Sequence, residues 1–358
     1  MAYRFPLGPY HPSLEEGEYF ELVVEGEVIK EVKIRIGISH RGIEKLATKK
    51  NYIQNLGLVE RVCGICSMHH TWAYVMAVER ALGVQVPERG EYIRVIVGEL
   101  ERLHSHILWF GLGAHAIGFD SLFMFLFGIR EAVLDVLEAI SGNRVNYAIN
   151  TIGGTRRDIT DPDMVLGMLS ELEKNVGKAV DVVLNEGTFR MRTEGVGVLS
   201  KEDAYRWGVL GPTLRGTGVK MDIRKDAPYS VYPQLDFDVP ALDGGDIFSR
   251  AVVRALEVFE SIKIIRQALK KMPSGPYRLP RVPPAVPPAN TIARVEAPRG
   301  ELIYHLISDG TTKPHRLKIR TPTIMNLPAL AEMMKGASIA DAPLLVLHID
   351  PCMSCMDR

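Results

Sequence analysis

Glu60-Arg61-Val62-Cys63-Gly64-Ile65-Cys66-Ser67-Met68-His69-His70 and Asp350-Pro351-Cys352-Met353-Ser354-Cys355-Met356-Asp357-Arg358, one early and one at the far end of the chain, hold all 4 cysteines as two CxxC pairs. None is left for a structural disulfide. No apolar segment of the secretory kind follows Met1, so a reducing compartment is expected, where paired thiols point to metal or redox chemistry. Three arrangements use such pairs. A zinc ribbon keeps its pairs close together in a small module. A thioredoxin-like motif takes one CxxC after a strand at a helix start, and two motifs would need two such folds. The third brings both pairs into one buried site of four thiolates. Such soft ligands select nickel, iron–sulfur, zinc or copper(I).

The sequence between the pairs is mostly helical in period. Ile96, Leu100, Leu103 and Ile107 mark one helix face. Asp161-Pro162 starts a second helix, with Leu169, Leu172, Val176, Ala179 and Val183 as its stripe up to Gly187. Asp246 opens a third, with Val252, Leu256, Phe259, Ile262, Ile265 and Leu269 expected inward and Lys270-Lys271 at its close. Ile107 to Ile129 is apolar enough to suggest a membrane span. With His115, Asp120 and several glycines it reads instead as a pair of deeply buried helices. At the N-terminal end, Phe20, Leu22 and Val24, then Val28, Val32, Ile34 and Ile36, predict a β-hairpin turning at Glu25-Gly26-Glu27, with Lys30 interrupting the second run. A second hairpin is expected from Glu301 to Arg320 through Asp309-Gly310. Pro273 to Pro298 reads as an ordered, extended connector.

These elements predict an α-rich α+β fold with a central helical bundle and small β-hairpins near both ends. The chain is expected to form one domain over 1–358. Residues 1–60 would lead in to the site, 61–272 form the bundle, and 273–358 carry the connector, hairpin and C-terminal ligands. Lys+Arg at 43 match Asp+Glu at 43, which argues against nucleic acid as a partner because phosphate binding needs a basic excess.

Arg61-x-Cys63-Gly64-x-Cys66 followed by His70, and Asp350-Pro351-Cys352-x-x-Cys355, resemble the two nickel-binding signatures of the nickel–iron hydrogenase large subunit. Gly8-Pro9-Tyr10-His11-Pro12 and Val295-Glu296-Ala297-Pro298-Arg299-Gly300 resemble its energy-converting branch and the related 49 kDa, quinone-site subunit of respiratory complex I, which lacks the cysteine quartet. The resemblance runs over nearly the whole chain. It implies a nickel held by Cys63, Cys66, Cys352 and Cys355, with Cys63 and Cys352 terminal and Cys66 and Cys355 bridging to an iron that carries carbon monoxide and cyanide. It further implies Arg299 over the open metal face, Pro298 beside it against the cofactor, and Glu16 as proton acceptor within Glu15-Glu16-Gly17-Glu18. His70 would donate to Cys66, and Thr323 would hold a cyanide.

Glu44 falls where many relatives bind a second metal. Their C-terminal histidine is Arg358 in this chain, which argues against that site. The relatives often carry a C-terminal extension cut at this point, so Arg358 suggests either a processed form or a gene without the tail. His104, His106 and His115 invite a metal reading but are expected to make buried polar contacts, and Asp120 is only a distant substitute for a family aspartate. The implied activity is reversible hydrogen formation on the cytoplasmic side of the membrane, as a peripheral subunit. An iron–sulfur small subunit, ferredoxin-linked electron-transfer subunits and integral membrane subunits are the implied partners. The alternative is a related membrane complex that reduces sulfur compounds or quinone.

Overall fold

The computed structural model describes residues 2–358. Three antiparallel strands open the chain: β1 (Ala2–Leu7), β2 (Tyr19–Glu25) and β3 (Val28–Arg35), in that order across the sheet. The expected hairpin is β2–β3, and β1 is an additional strand. Phe20, Leu22 and Val24 alternate inward as the period requires. Val23 faces Glu31 while Val24 faces Ile29, so Lys30 is the extra residue of a bulge. That slip sends Ile29 inward, not Val28, and leaves Val28 and Ile36 exposed.

Five long helices make the body. They are α1 (Ser67–Leu82), α2 (Glu88–Ala116), α3 (Asp120–Ser141), α4 (Pro162–Asn185) and α5 (Ile247–Lys271). Asp161 and Asp246 cap α4 and α5 by accepting from the Met164 and Ser249 amides, and Gly83 ends α1 in the left-handed region. Helix α2 runs through the middle, against α3 on one side and α5 on the other, and α4 packs on both α3 and α5. Its face Ile96, Leu100, Leu103 and Ile107 is buried, as is the whole stripe of α4.

Two expectations fail in phase. On α5, Leu256 is exposed and Val252 and Phe259 are half-buried, because Arg250, Arg254 and Glu257 take the inward positions. The expected Ile262, Ile265 and Leu269 are buried, but in the first half of the helix a buried ionic network shares the inward face with Val253 and Val258 and shifts its phase. The 107–129 segment is indeed two helices, broken between Ala116 and Asp120, but the start of α3 leaves Met124 and Phe125 exposed. Among the described residues, no helix is long and apolar enough to cross a membrane.

The distal part of the proline-rich connector ends in a strand, β4 (Ala289–Ala297), which pairs with β5 (Gly300–Ser308); β5 pairs in turn with β6 (Arg316–Arg320). The expected second hairpin is thus β5–β6, one half of a three-stranded sheet. Ala297 pairs with Gly300, so Pro298-Arg299 is a two-residue turn. Helices α6 (Pro322–Met334), α7 (Ala342–His348) and α8 (Met353–Asp357) follow. One apolar cluster fills the bundle and the second sheet, and another lies between the first sheet and α6–α8. The four cysteines belong to the first cluster, while Met353 and Met356 belong to the second. The C-terminal segment is wedged between the two.

Candidate metal centre

The two CxxC pairs meet. Cys352 Sγ lies 3.5 Å from Cys63 Sγ, and Cys66 Sγ lies 3.6 Å from Cys355 Sγ. The sulfurs of Cys63, Cys66 and Cys355 are all within 4.8 Å of one another, and Cys352 joins them through Cys63. All four residues are buried. Each pair forms the same turn: the Cys66 amide points 3.3 Å to Cys63 Sγ, and the Cys355 amide 3.3 Å to Cys352 Sγ. Hydrogen bonds from its neighbours, helped by Arg299, hold the Cys63 thiol well below its ordinary pKa. Hydrogen bonding to Cys63 and burial push the other three thiols well above theirs. A soft metal fits this donor set, because it would neutralise converging sulfurs and displace their protons.

Helix α1 begins directly after Cys66, and Glu101 of α2 fixes its first turn. The Glu101 carboxylate accepts from the Met68 amide at 2.7 Å, the His69 amide at 3.1 Å and the Ser67 hydroxyl at 3.3 Å, and it meets His69 Nδ1 at 2.5 Å. Four donors on one buried carboxylate lock the segment that presents Cys66 and His70. His70 Nε2 lies 3.4 Å from Cys355 Sγ, not against Cys66 as expected, and its Nδ1 is 2.8 Å from the Tyr304 hydroxyl. Tyr304, on β5, aims the ring across the cluster. Burial lowers the His70 pKa to about 4, so the ring is neutral with a single N–H to give.

Arg299 reaches the cluster from the β4–β5 turn. Its Nη2 donates to Asp350 Oδ1 at 2.6 Å and its Nε donates to the Asp350 carbonyl at 2.9 Å. The Asp350 charge and the nearby thiols raise the guanidinium pKa further. Behind the turn, Gly211 and Gly300 meet backbone to backbone: a Cβ on Gly211 would stand 2.2 Å from the Arg299 carbonyl oxygen. Arg299, Thr323, His70, Cys66 and Cys355 line one narrow cavity. Thr323 Oγ1 accepts from the Cys352 amide at 3.1 Å. Glu16 comes from the loop before β2 and accepts from the Ser354 amide at 2.7 Å. Desolvation, with the Cys63 charge nearby, lifts its pKa above the usual carboxylate value.

The remaining candidates separate. His104 and His106 are fully buried, against Arg130 and Glu257, while His115 is exposed and pairs with Asp120 at 2.8 Å. The expectation of burial fails for His115 because α2 ends there. Asp120, exposed and paired with His115, stands apart from the cluster, and the acidic partner of Arg299 is Asp350. Glu44 accepts from Lys318 at 2.5 Å, the Ile319 amide at 3.0 Å and Arg358 at 3.0 Å. A second metal would have to displace two cations. Glu101 and Tyr304 escaped sequence reasoning, and Asp350 was read only as part of the second cysteine signature, without its role as the partner of Arg299.

The family model described as "Respiratory-chain NADH dehydrogenase, 49 Kd subunit" matches residues 116–284 and 281–358, and "Nickel-dependent hydrogenase" matches 41–119. The chain is 46% identical to the carbon monoxide-induced hydrogenase of Rhodospirillum rubrum, over 100% of this chain and 99% of that one. It is 41% identical to the membrane-bound hydrogenase subunit alpha of Pyrococcus furiosus, over 99% of this chain and 87% of the other. A subunit of the NADH-quinone oxidoreductase of Dehalococcoides mccartyi is 38% identical, over 98% of this chain and 97% of its own length.

Proposed function

The chain belongs to the family that joins membrane-bound hydrogenase large subunits to the respiratory-chain 49 kDa subunit, and on that premise we propose that it is the catalytic large subunit of an energy-converting nickel–iron hydrogenase. The carrying observation is the contact of Cys63 with Cys352 and of Cys66 with Cys355 across the whole length of the chain. A nickel–iron centre with carbon monoxide and cyanide on the iron, when bound by these four thiolates, supplies the electron-accepting and Lewis-acid chemistry that reversible hydrogen cleavage needs. Cys63, Cys66, Cys352 and Cys355 would together hold it.

The other groups hold charge and protons. Arg299, fixed by Asp350, offsets anionic sulfur in a site with little water, where a guanidinium acts strongly. Glu16 takes and returns protons, its pKa brought toward neutrality by burial. Neutral His70 tunes Cys355 and Thr323 lines the cofactor pocket, while Pro298, buried in the same turn as Arg299 but not among the cavity's lining residues, would act by holding that turn. No cysteine remains for an iron–sulfur cluster, so electrons pass to an iron–sulfur small subunit. Ferredoxin-linked electron-transfer subunits and integral membrane subunits complete the assembly, with this chain peripheral on the cytoplasmic face.

The quinone-linked relatives support a second reading, a large subunit that reduces quinone or a sulfur compound. One experiment separates the two. The purified complex is analysed for nickel, scanned in the infrared for metal-bound carbon monoxide and cyanide, and assayed for exchange of D2 with water. Nickel, those bands and exchange together are expected; nickel without exchange favours the second reading, and zinc alone sinks both.

A further inference from the structure

A cavity of about 550 Å³ lies on the far side of the loop that carries Glu16. Its ionisable lining is His11, Glu15, Glu18, His115 and Arg192, and Pro351, the neighbour of Cys352, forms part of its wall. Leucines of α2 and α7 close the rest. The loop therefore has two faces. Glu16 turns to the cysteine cluster through Ser354, while Glu15 and Glu18 line the cavity. Glu18 is 2% exposed, and its Oε2 has no hydrogen-bond partner among the described residues. Among those residues no salt bridge uses Glu15 or Glu18. At the outer side His11 and His115 are exposed, the latter beside Asp120.

We propose that Glu18, together with Glu15, relays protons between Glu16 and the cavity, and that His11 and His115 exchange them with solvent. This rests on the hydrogenase reading and adds a route that the reading leaves open. Each transfer moves one proton: the Glu16 carboxyl loses it, a carboxylate at Glu15 or Glu18 gains it, and that group passes one on to water or a histidine. No electron travels this way; electrons leave through the iron–sulfur partner. A relay must bind and release protons at working pH. Burial, with the charges of Glu16 and Glu15, raises Glu18 to about 8; Glu15 is exposed at its outer side, yet partial desolvation by the surrounding loop, with Asp350 and Glu16, raises it to about 7 against the opposing pull of Arg299. A buried acid kept only for packing would be served as well by glutamine.

The test uses the assembled, metal-loaded complex carrying Glu18→Gln, Glu18→Asp or Glu18→Ala. The infrared bands of carbon monoxide and cyanide report the centre, and exchange of D2 with water reports proton traffic. With the bands in place, Glu18→Gln is expected to exchange at least about tenfold more slowly, Glu18→Asp to stay near wild type, and Glu18→Ala to regain rate on addition of imidazole. Wild-type exchange in Glu18→Gln, equal losses in Glu18→Gln and Glu18→Asp, or failure of imidazole to restore Glu18→Ala each overturns the relay. Absence of the bands from the wild-type complex overturns the hydrogenase reading itself, and the relay with it.

Discussion

Arg299 and Asp350 are held together by both side chain and main chain: Nη2 donates to Oδ1 at 2.6 Å while Nε donates to the carbonyl at 2.9 Å. Asp350 sits at φ 56, a left-handed conformation that aspartate tolerates better than most residues. Arg254 stands 3.9 Å from its second oxygen and packs over Trp109. Arg299→Lys keeps the charge but loses the paired donors of the fork, so D2 exchange should fall about 100-fold with nickel content unchanged. A lysine variant with full activity shows that charge alone suffices and that the fork is dispensable.

Gly211 tests the same position from behind. A methyl group there would stand 2.2 Å from the Arg299 carbonyl oxygen, and Gly211 itself sits at φ 65. Gly211→Ala must push the β4–β5 turn toward the cluster. Expected are a loss of about 1–3 kcal/mol in stability, in the range of overpacking, and a shifted cyanide band. An unshifted spectrum means that the turn absorbs the methyl without moving Arg299.

The cysteine signatures were legible because metal binding demands residue types at fixed spacing. The long helices were legible where one face is apolar throughout, as in α2 and α4. On α5 the period held for Ile262, Ile265 and Leu269 but misled in the first half, where inward positions hold Arg250, Arg254 and Glu257. In the first hairpin the bulge at Lys30 shifts the phase after it. Partners from distant segments left no local mark: nothing near Glu101 says that it will bind the first turn of α1, and nothing near Tyr304 says that it will aim His70.

Glu101 therefore offers a test of positioning. Glu101→Ala strands the Met68 and His69 amides and the His69 ring, each unsatisfied buried donor costing about 1–3 kcal/mol, while the Ser67 hydroxyl keeps the Val145 carbonyl as acceptor. Glu101→Gln keeps acceptor capacity at one oxygen. The alanine variant should lose stability and nickel together, and the glutamine variant should retain part of both. If nickel content is unchanged in Glu101→Ala while stability falls, the carboxylate supports the fold and does not position Cys66.

Stability should also report Glu18 directly. Its pKa is about 8 in the folded chain against the ordinary 4.5, so the folded state holds a proton that the unfolded chain releases. Below pH 4.5 both states are protonated and the neutral acid costs the fold nothing. As pH rises from there toward 8, the unfolded chain ionises and is favoured, by at most about 1.4 kcal/mol for each unit crossed. Wild type should thus lose stability relative to Glu18→Gln across that window and level off above it. Glu15 and Glu16 titrate in both proteins and largely cancel in the difference, which denaturant titrations at stepped pH measure. A flat difference would mean that Glu18 ionises in the fold as readily as in water, and the carboxyl would then be hydrated in the cavity and not buried.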